Sequence, residues 1–335
     1  MKQGKKLLRQ QDGPTAFPEA VVPDPSTPEM TSSALVVPCT LVVPSHNEAA
    51  SISACLDALH ASRLPPGAVW LRWVVIDDAS TDATVAEVDR WRRGHPDIAL
   101  DVVRHPVRKG KAAGLERVRA ALAERGPEAV MVVCDADGVV SPQALSRLVT
   151  PFVEDPAMAV TWGWSTPRGR RRRRLASRFQ LVLSEEEALL APADGCPAFG
   201  RLFAMRPSAL ASFRWRPGFV NDDTPLAEHV RGSGAPRRLV ATATIAVLPA
   251  ASYRDFYLQT YRFYVSRAAV KTAGPRRRRL FLVGQYSTVR ALTRAVRREP
   301  LGLPAYVVAR VVAAAMHLVQ PATFADAWVV SKSTK

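Results

Sequence analysis

Between residues 35 and 153, short runs of β-branched and aliphatic residues alternate with longer amphipathic stretches. That alternation restricts the fold to a mostly parallel sheet wrapped by helices, an α/β class. The apolar runs are Leu41–Val43, Trp73–Ile76, Ile98–Val103 and Val130–Val133. Helices are predicted over roughly 49–61, 82–93, 112–125 and 142–153. The last is opened by Ser141 as N-cap, with Pro142 at the first helical position, where a missing N–H loses no hydrogen bond. Sheets of this kind bind ligands at the carboxyl ends of their strands, so chemistry is sought in the polar residues that follow each run.

Composition narrows the partners. The 335 residues carry 46 Lys and Arg against 30 Asp and Glu, a formal charge of +16, and a surface field of that sign draws phosphates, nucleic acids or anionic lipid headgroups. Arg170–Arg174 and Arg276–Arg279 are dense enough to pair with phosphates, but no aromatic-interleaved strand motif accompanies them, so no specific nucleic-acid partner is expected. Cys39, Cys55, Cys134 and Cys196 form no Cys-x-x-Cys pair, which reads as reduced, buried thiols. Residues 1–33, rich in Pro, Ser, Thr and Gln without an apolar period, read as an unstructured tail. Its basic start runs into Gln10, Gln11, Asp12 and Pro14 where a signal peptide needs an apolar run, so the chain is expected to stay in the cytoplasm. Residues 304–319 are strongly apolar but short of the about 20 residues a bilayer span needs, and Arg310 sits among them. Two readings stand for this stretch: a packed core helix, or an interfacial helix at the inner face of a membrane.

The first run ends in Pro44-Ser45-His46-Asn47-Glu48 and the second in Asp77-Asp78-Ala79-Ser80-Thr81-Asp82. Carboxylates there can accept from a base N–H or a ribose hydroxyl, while at least one of Ser80, Thr81 and Asp82 caps the following helix. The fourth run ends in Cys134-Asp135-Ala136-Asp137. Alternate residues of an extended segment point the same way, so Asp135 and Asp137 could share one hard cation, magnesium or manganese, which would also bind a diphosphate. Arg108-Lys109-Gly110-Lys111 offers cations and a helix N-terminus to a phosphate. Asn221-Asp222-Asp223-Thr224-Pro225 opens a helix, and a carboxylate there is either its cap or the acceptor of a proton from an attacking hydroxyl.

In this order the segments resemble the family 2 glycosyltransferases of the GT-A fold, over about residues 38–265. The resemblance implies a Rossmann-like, mostly parallel sheet flanked by helices in a domain over 34–270, with a nucleotide-sugar half at 34–163 and an acceptor half at 164–270. Residues 271–335 would form a basic helical C-terminal extension. It further implies that Pro44, Ser45, Asn47, Glu48, Asp77, Asp78, Lys111 and Asp135 hold the nucleotide sugar. Asp135 and Asp137 would serve the metal-diphosphate unit, and Asp223 would be the general base. On the acceptor side it places Asp222, with Gln259, Arg262 and Phe263 similar to a Gln-x-x-Arg-Trp motif in which Phe263 replaces Trp. Residues 165–220, including Asp194, Gly195, Cys196, Pro197 and Trp215, are expected to help build the acceptor site.

The activity implied is inverting, metal-dependent transfer of a sugar from a nucleoside diphosphate, UDP first among donors, to an acceptor hydroxyl. Processive relatives thread their polymer through a membrane channel, and with no convincing span here single additions are expected. A sugar nucleotidyltransferase is the competing enzyme class, although the first strand lacks a Gly-rich, Arg-containing turn for a triphosphate. A nicotinamide oxidoreductase is disfavoured, because Ser45-His46-Asn47 stands where a Gly-x-Gly-x-x-Gly turn belongs. A non-catalytic nucleotide-sugar-binding relative is the third alternative.

Overall fold

The computed structural model describes residues 36–126, 128–168, 175–190, 195, 200–216, 222–248, 250, 252–258, 260 and 289–319. Their strands are β1 (Val37–Ser45), β2 (Ala68–Asp77), β3 (Leu100–Arg104), β4 (Val130–Cys134), β5 (Gly138–Val140), β6 (Val160–Pro167), β7 (Leu202–Met205) and β8 (Arg237–Val247). The helices are α1 (Ile52–Ala61), α2 (Thr84–Gly94), α3 (Lys111–Arg125), α4 (Ala144–Glu154), α5 (Leu175–Leu190), α6 (Asp223–Ser233), α7 (Val289–Arg298) and α8 (Gly302–Val319).

The strands form one sheet in the order β3-β2-β1-β4-β7-β6-β8-β5. β3, β2, β1 and β4 are parallel neighbours, the arrangement expected of strand–helix units. β7 then runs antiparallel to β4 and β6, β8 lies parallel to β6, and β5 closes antiparallel on β8. The predicted apolar runs read as continuous because both sheet faces are covered. Leu41, Val43, Trp73, Val75, Val130 and Val132 share one core with Leu56 and Leu59 of α1 and Leu145 and Leu148 of α4. Their alternates Val42, Val74, Ile76, Met131 and Val133 share the opposite one with Leu115 and Val118 of α3 and Leu226 and Val230 of α6. A register slip of one residue would exchange these two sets, so the pairing is strongly specified.

Register places the chemistry at one rim. Ser45 lies opposite Asp77 and Asp77 opposite Arg104, so β1, β2 and β3 end together. The start of α4 departs from the sequence reading. Ser141 donates its amide to Thr244 O at 2.9 Å, continuing the sheet edge, and Ala144 N donates back to Ser141 O at 2.9 Å. The helix therefore begins after a turn, and the buried Ser141 Oγ has no hydrogen-bond partner among the described residues, so it is not the N-cap.

A separate core lies beyond the sheet, where Phe179, Val182 and Leu183 of α5, Phe256, Ala291 and Ala295 of α7 and Tyr306 of α8 come together. Ion pairs reinforce it: Arg178 to Glu299 at 2.7 Å, Arg298 to Glu186 at 2.7 Å and Arg298 to Glu185 at 2.9 Å. A Cβ on Gly302 would stand 2.7 Å from Phe179 Cβ, so only glycine lets α8 approach α5 this closely. The core reading of the apolar C-terminal stretch holds in part. α8 packs through Tyr306, yet Val308, Val311 and Val312 are 62%, 47% and 49% exposed. Among the described residues no helix is long and apolar enough to cross a membrane.

Candidate active site

The turns after β1 and β2 are stitched to one another. Asn47 N donates to Ser80 Oγ at 2.9 Å, and Asn47 Oδ1 accepts from Thr81 N at 2.8 Å. Glu48 N donates to Thr84 Oγ1 at 2.7 Å, and Ala49 N to Asp82 Oδ2 at 3.2 Å. His46 Nδ1 donates to Asp78 O at 2.8 Å, and Asp78 N to Ser45 O at 2.9 Å. Asp82 Oδ1 accepts from Thr84 N at 3.0 Å, meeting the first amide of α2, while the N-cap position itself is Ala83 and not one of the three residues expected there. Ala79 holds φ at +57°, left-handed backbone that favours glycine. Ala79→Gly should raise stability by about 0.5–1 kcal/mol, read as a higher midpoint in urea.

Asp77 and Asp78 lie behind this rim, 0% and 5% exposed. Asp77 Oδ2 accepts from Arg104 Nε at 3.1 Å and Asp77 Oδ1 from Ser80 N at 3.3 Å. Asp78 Oδ1 meets His105 Nδ1 at 2.9 Å and Lys109 N at 2.8 Å, while Asp78 Oδ2 takes Gly110 N at 2.9 Å. Burial works to raise the Asp78 pKa, but these donors outweigh it and hold the carboxyl below its usual range. The amides expected to meet a phosphate at the start of α3 are thus taken at Lys109 and Gly110 by Asp78, because a buried anion this close claims them first.

The next residue, Lys111, is the hub of the site. Its Nζ lies 2.6 Å from Asp135 Oδ1, 2.9 Å from Asp222 Oδ2 and 2.6 Å from Gly200 O. Burial opposes its charge, yet Asp135 and Asp222 outweigh it and raise the pKa, so Lys111 remains an ammonium. Asp135 and Asp137 do not sit on an extended segment. Gly138 N donates to Asp135 O at 3.2 Å and closes a turn before β5, so the two carboxylates face different cations. Asp135 meets Lys111, and Asp137 Oδ2 meets Arg201 Nη1 at 3.5 Å. Asp137 Oδ1 is buried without a hydrogen-bond partner among the described residues, an arrangement suited to an ion or ligand oxygen. Beneath the turn the Cys55 and Cys134 thiols point at Asp135 O, at 3.5 and 3.6 Å. Both are buried and unoxidised, as the sequence suggested, and burial pushes the Cys39 thiol up to about 12.

Asp222 and Asp223 open α6 beside Lys111. Burial raises the Asp222 pKa against the pull of Lys111, and Asp135 adds to the rise. Asp223 is pushed up to about 7, first by burial and then by the Asp222 carboxylate. Its Oδ1 accepts from Thr224 N at 2.6 Å, within the first turn of a helix whose N-cap position is Asp222. The Trp215 indole donates to Asp222 O at 2.8 Å and is 2% exposed. Trp215 thus supports the acid pair from within the core. Asp194, Cys196, Pro197, Asn221, Gln259, Arg262 and Phe263 lie outside the described residues.

Sequence reasoning passed over Gly200 and Arg201, which sit in no recognisable motif. Arg201 O accepts from Asp135 N at 2.8 Å, and a Cβ on Gly200 would lie 2.6 Å from Asp222 Oδ2. Gly200→Ala should displace the Asp222 carboxylate and lower kcat/KM by about tenfold or more, with little change in melting temperature.

Among the described residues no three His, Cys, Asp or Glu side chains are grouped to hold a metal ion by themselves. Two carboxylates with ligand oxygens completing the shell are, however, a common way to bind magnesium. The arrangement as a whole offers the partnerless Asp137 Oδ1 to a cation, Lys111 and Arg201 to negative charge, and a carboxyl of raised pKa to a proton.

Comparison with known proteins bears on the fold and the family. The structure resembles mannosyltransferase PcManGT from Pyrobaculum calidifontis, solved with GDP-Man and Mn2+, at 21% identity and a TM-score of 0.51, covering 84% of this chain and 75% of that one. Glucosyl-3-phosphoglycerate synthase from Mycobacterium tuberculosis, solved with Mn2+, UDP and phosphoglyceric acid, is 21% identical with a TM-score of 0.47, covering 70% of this chain and 80% of that one. Residues 1–349 of S. aureus TarS, solved with UDP, are 15% identical with a TM-score of 0.45, covering 70% of this chain and 66% of that one. No curated protein sequence matches. The sequence model of Glycosyl transferase family 2 matches residues 40–213, just over half of the chain and all of the rim from β1 through Arg201. This protein belongs to glycosyl transferase family 2 and is a glycosyltransferase of the GT-A fold.

Proposed function

We propose that this glycosyltransferase moves a sugar from a nucleoside diphosphate to an acceptor hydroxyl by direct displacement with inversion, with Asp223 as general base. The observation that carries this reading is the acid–lysine junction at the rim, where Lys111 joins Asp135 to Asp222 and Asp223 stands next in the chain, its pKa pushed up by burial to about 7. A carboxyl so tuned is a competent proton acceptor near neutral pH, and the attacking hydroxyl becomes acidic as its bond to the anomeric carbon forms.

Asp135 and Asp137 would hold magnesium or manganese, the partnerless Asp137 Oδ1 supporting that role. Such an ion supplies charge stabilisation to the departing diphosphate. Lys111, Arg108 and Arg201 are the chain's own cations for that leaving group, and they act without reorganisation because Asp135, Asp78 and Asp137 already orient them. Pro44, Ser45, Asn47, Glu48, Asp77 and Asp78 form the nucleoside side of the site. Asp222 holds Lys111 in place, and Gln259, Arg262 and Phe263 would serve the acceptor.

A single experiment series tests this. Nucleoside diphosphates are screened by thermal shift with and without manganese, beginning with UDP, and the sugar of the stabilising base is offered to hydroxyl acceptors. Proton NMR of the product should show inverted anomeric configuration, and mass spectrometry one added residue per acceptor. Retained configuration sinks the direct displacement. Release of pyrophosphate from a nucleoside triphosphate and sugar phosphate would instead support the nucleotidyltransferase reading.

A further inference from the structure

Among the α8 residues whose burial is described, the exposed positions are 304, 308, 311, 312 and 315. Their spacing of four, three, one and three defines a single helix face, and each residue on it is apolar. Beside this face, the helical residues 253–258 and α8 enclose an open groove of about 530 Å³. Tyr253, Tyr257, Pro304, Val308 and Val312 line it, and Arg254 is its charged member. A contiguous apolar face next to an apolar groove marks a contact surface more often than chance.

Charge selects the occupant. α7, immediately before α8, carries Arg290, Arg294, Arg297 and Arg298 and no acidic residue. Arg294 and Arg298 are tied to Glu185 and Glu186 of α5, and Arg290 and Arg297 are exposed. The whole chain is at +16, so a second copy would bring like charge against like charge. An anionic lipid surface satisfies both features at once, since acyl chains cover the valines and headgroup phosphates meet the arginines. Tyrosines suit the boundary between the two, with one apolar face and one polar tip.

We infer that the exposed α8 face and its groove dock this protein on an anionic phospholipid bilayer, with α8 lying in the plane of the interface and lipid chain ends entering the groove. This surface is separate from the rim at Lys111, and the inference holds whatever sugar or acceptor the enzyme uses.

Flotation of the full chain with vesicles tests it. With vesicles of phosphatidylcholine and phosphatidylglycerol the protein should float, and with phosphatidylcholine alone it should stay at the bottom. The double change Val308→Asp and Val312→Asp should reduce flotation by about tenfold or more. The pair Arg290→Glu and Arg297→Glu should weaken it and flatten its salt dependence. Unchanged melting temperature and circular dichroism of the first variant show that folding is intact, because both valines are exposed. Three results overturn the inference: no flotation on either vesicle, equal flotation on both, or flotation of the Val308→Asp, Val312→Asp variant equal to wild type. A self-association broken by the same two aspartates, with no vesicle binding, would assign the face to a second copy instead.

Discussion

Asp223→Asn should lower kcat by about 10²- to 10⁴-fold, the span that a positioned general base usually contributes, with nucleoside diphosphate affinity unchanged. Asparagine keeps the acceptor for Thr224 N, so α6 should open as before. In the wild type, kcat/KM should fall about tenfold per pH unit once the pH drops below the Asp223 pKa of about 7. Stability carries the opposite sign. The folded protein holds this proton to higher pH than an unfolded aspartate of pKa about 3.9, so the unfolded state binds fewer protons and stability falls as pH rises from about 4 to 7. Asn cannot ionise, so the variant should be at least as stable as wild type at pH 7 while being nearly inactive. Near-wild-type turnover in a well-folded Asp223→Asn protein removes Asp223 from the chemistry.

Asp137→Ala should abolish the manganese-dependent part of stabilisation by nucleoside diphosphate. A ligand at a hundred times its dissociation constant adds about 2.7 kcal/mol, so the loss is readable as a fall in melting temperature without any assay of turnover. The change removes an oxygen that is buried without a hydrogen-bond partner among the described residues, so the ligand-free protein should lose little stability. Arg201, 3.5 Å away, would lose its partner but keeps water within reach at 35% side-chain exposure. An undiminished manganese response in the Ala variant assigns the ion to other groups.

The parallel part of the sheet was legible because β1, β2 and β4 are buried on both faces and leave unbroken apolar runs. The rim acids were legible because strand ends carry ligands in such sheets. What escaped is what local pattern does not encode. The turn from Asp135 to Gly138 depends on one backbone hydrogen bond, and it divides two carboxylates that an extended reading would align. The Lys111 junction joins α3 to Asp222 and to the carbonyl of Gly200, groups far apart in sequence and brought together only by the packing of α3 and α6 on one sheet face. Trp215 illustrates a related ambiguity, since an aromatic in a loop fits an acceptor wall as well as a core until its neighbours are known. At β7 the strand direction reverses between β4 and β6, which short apolar segments separated by arginine-rich sequence do not announce.

The bonds between the Asn47–Ala49 and Ser80–Thr84 turns have a consequence for how the enzyme meets its donor. Those turns surrender their conformational freedom when the polypeptide folds, not when a nucleotide arrives. On the proposed reading of the site, that edge of the cleft is a rigid template that sorts ligands by shape at first encounter.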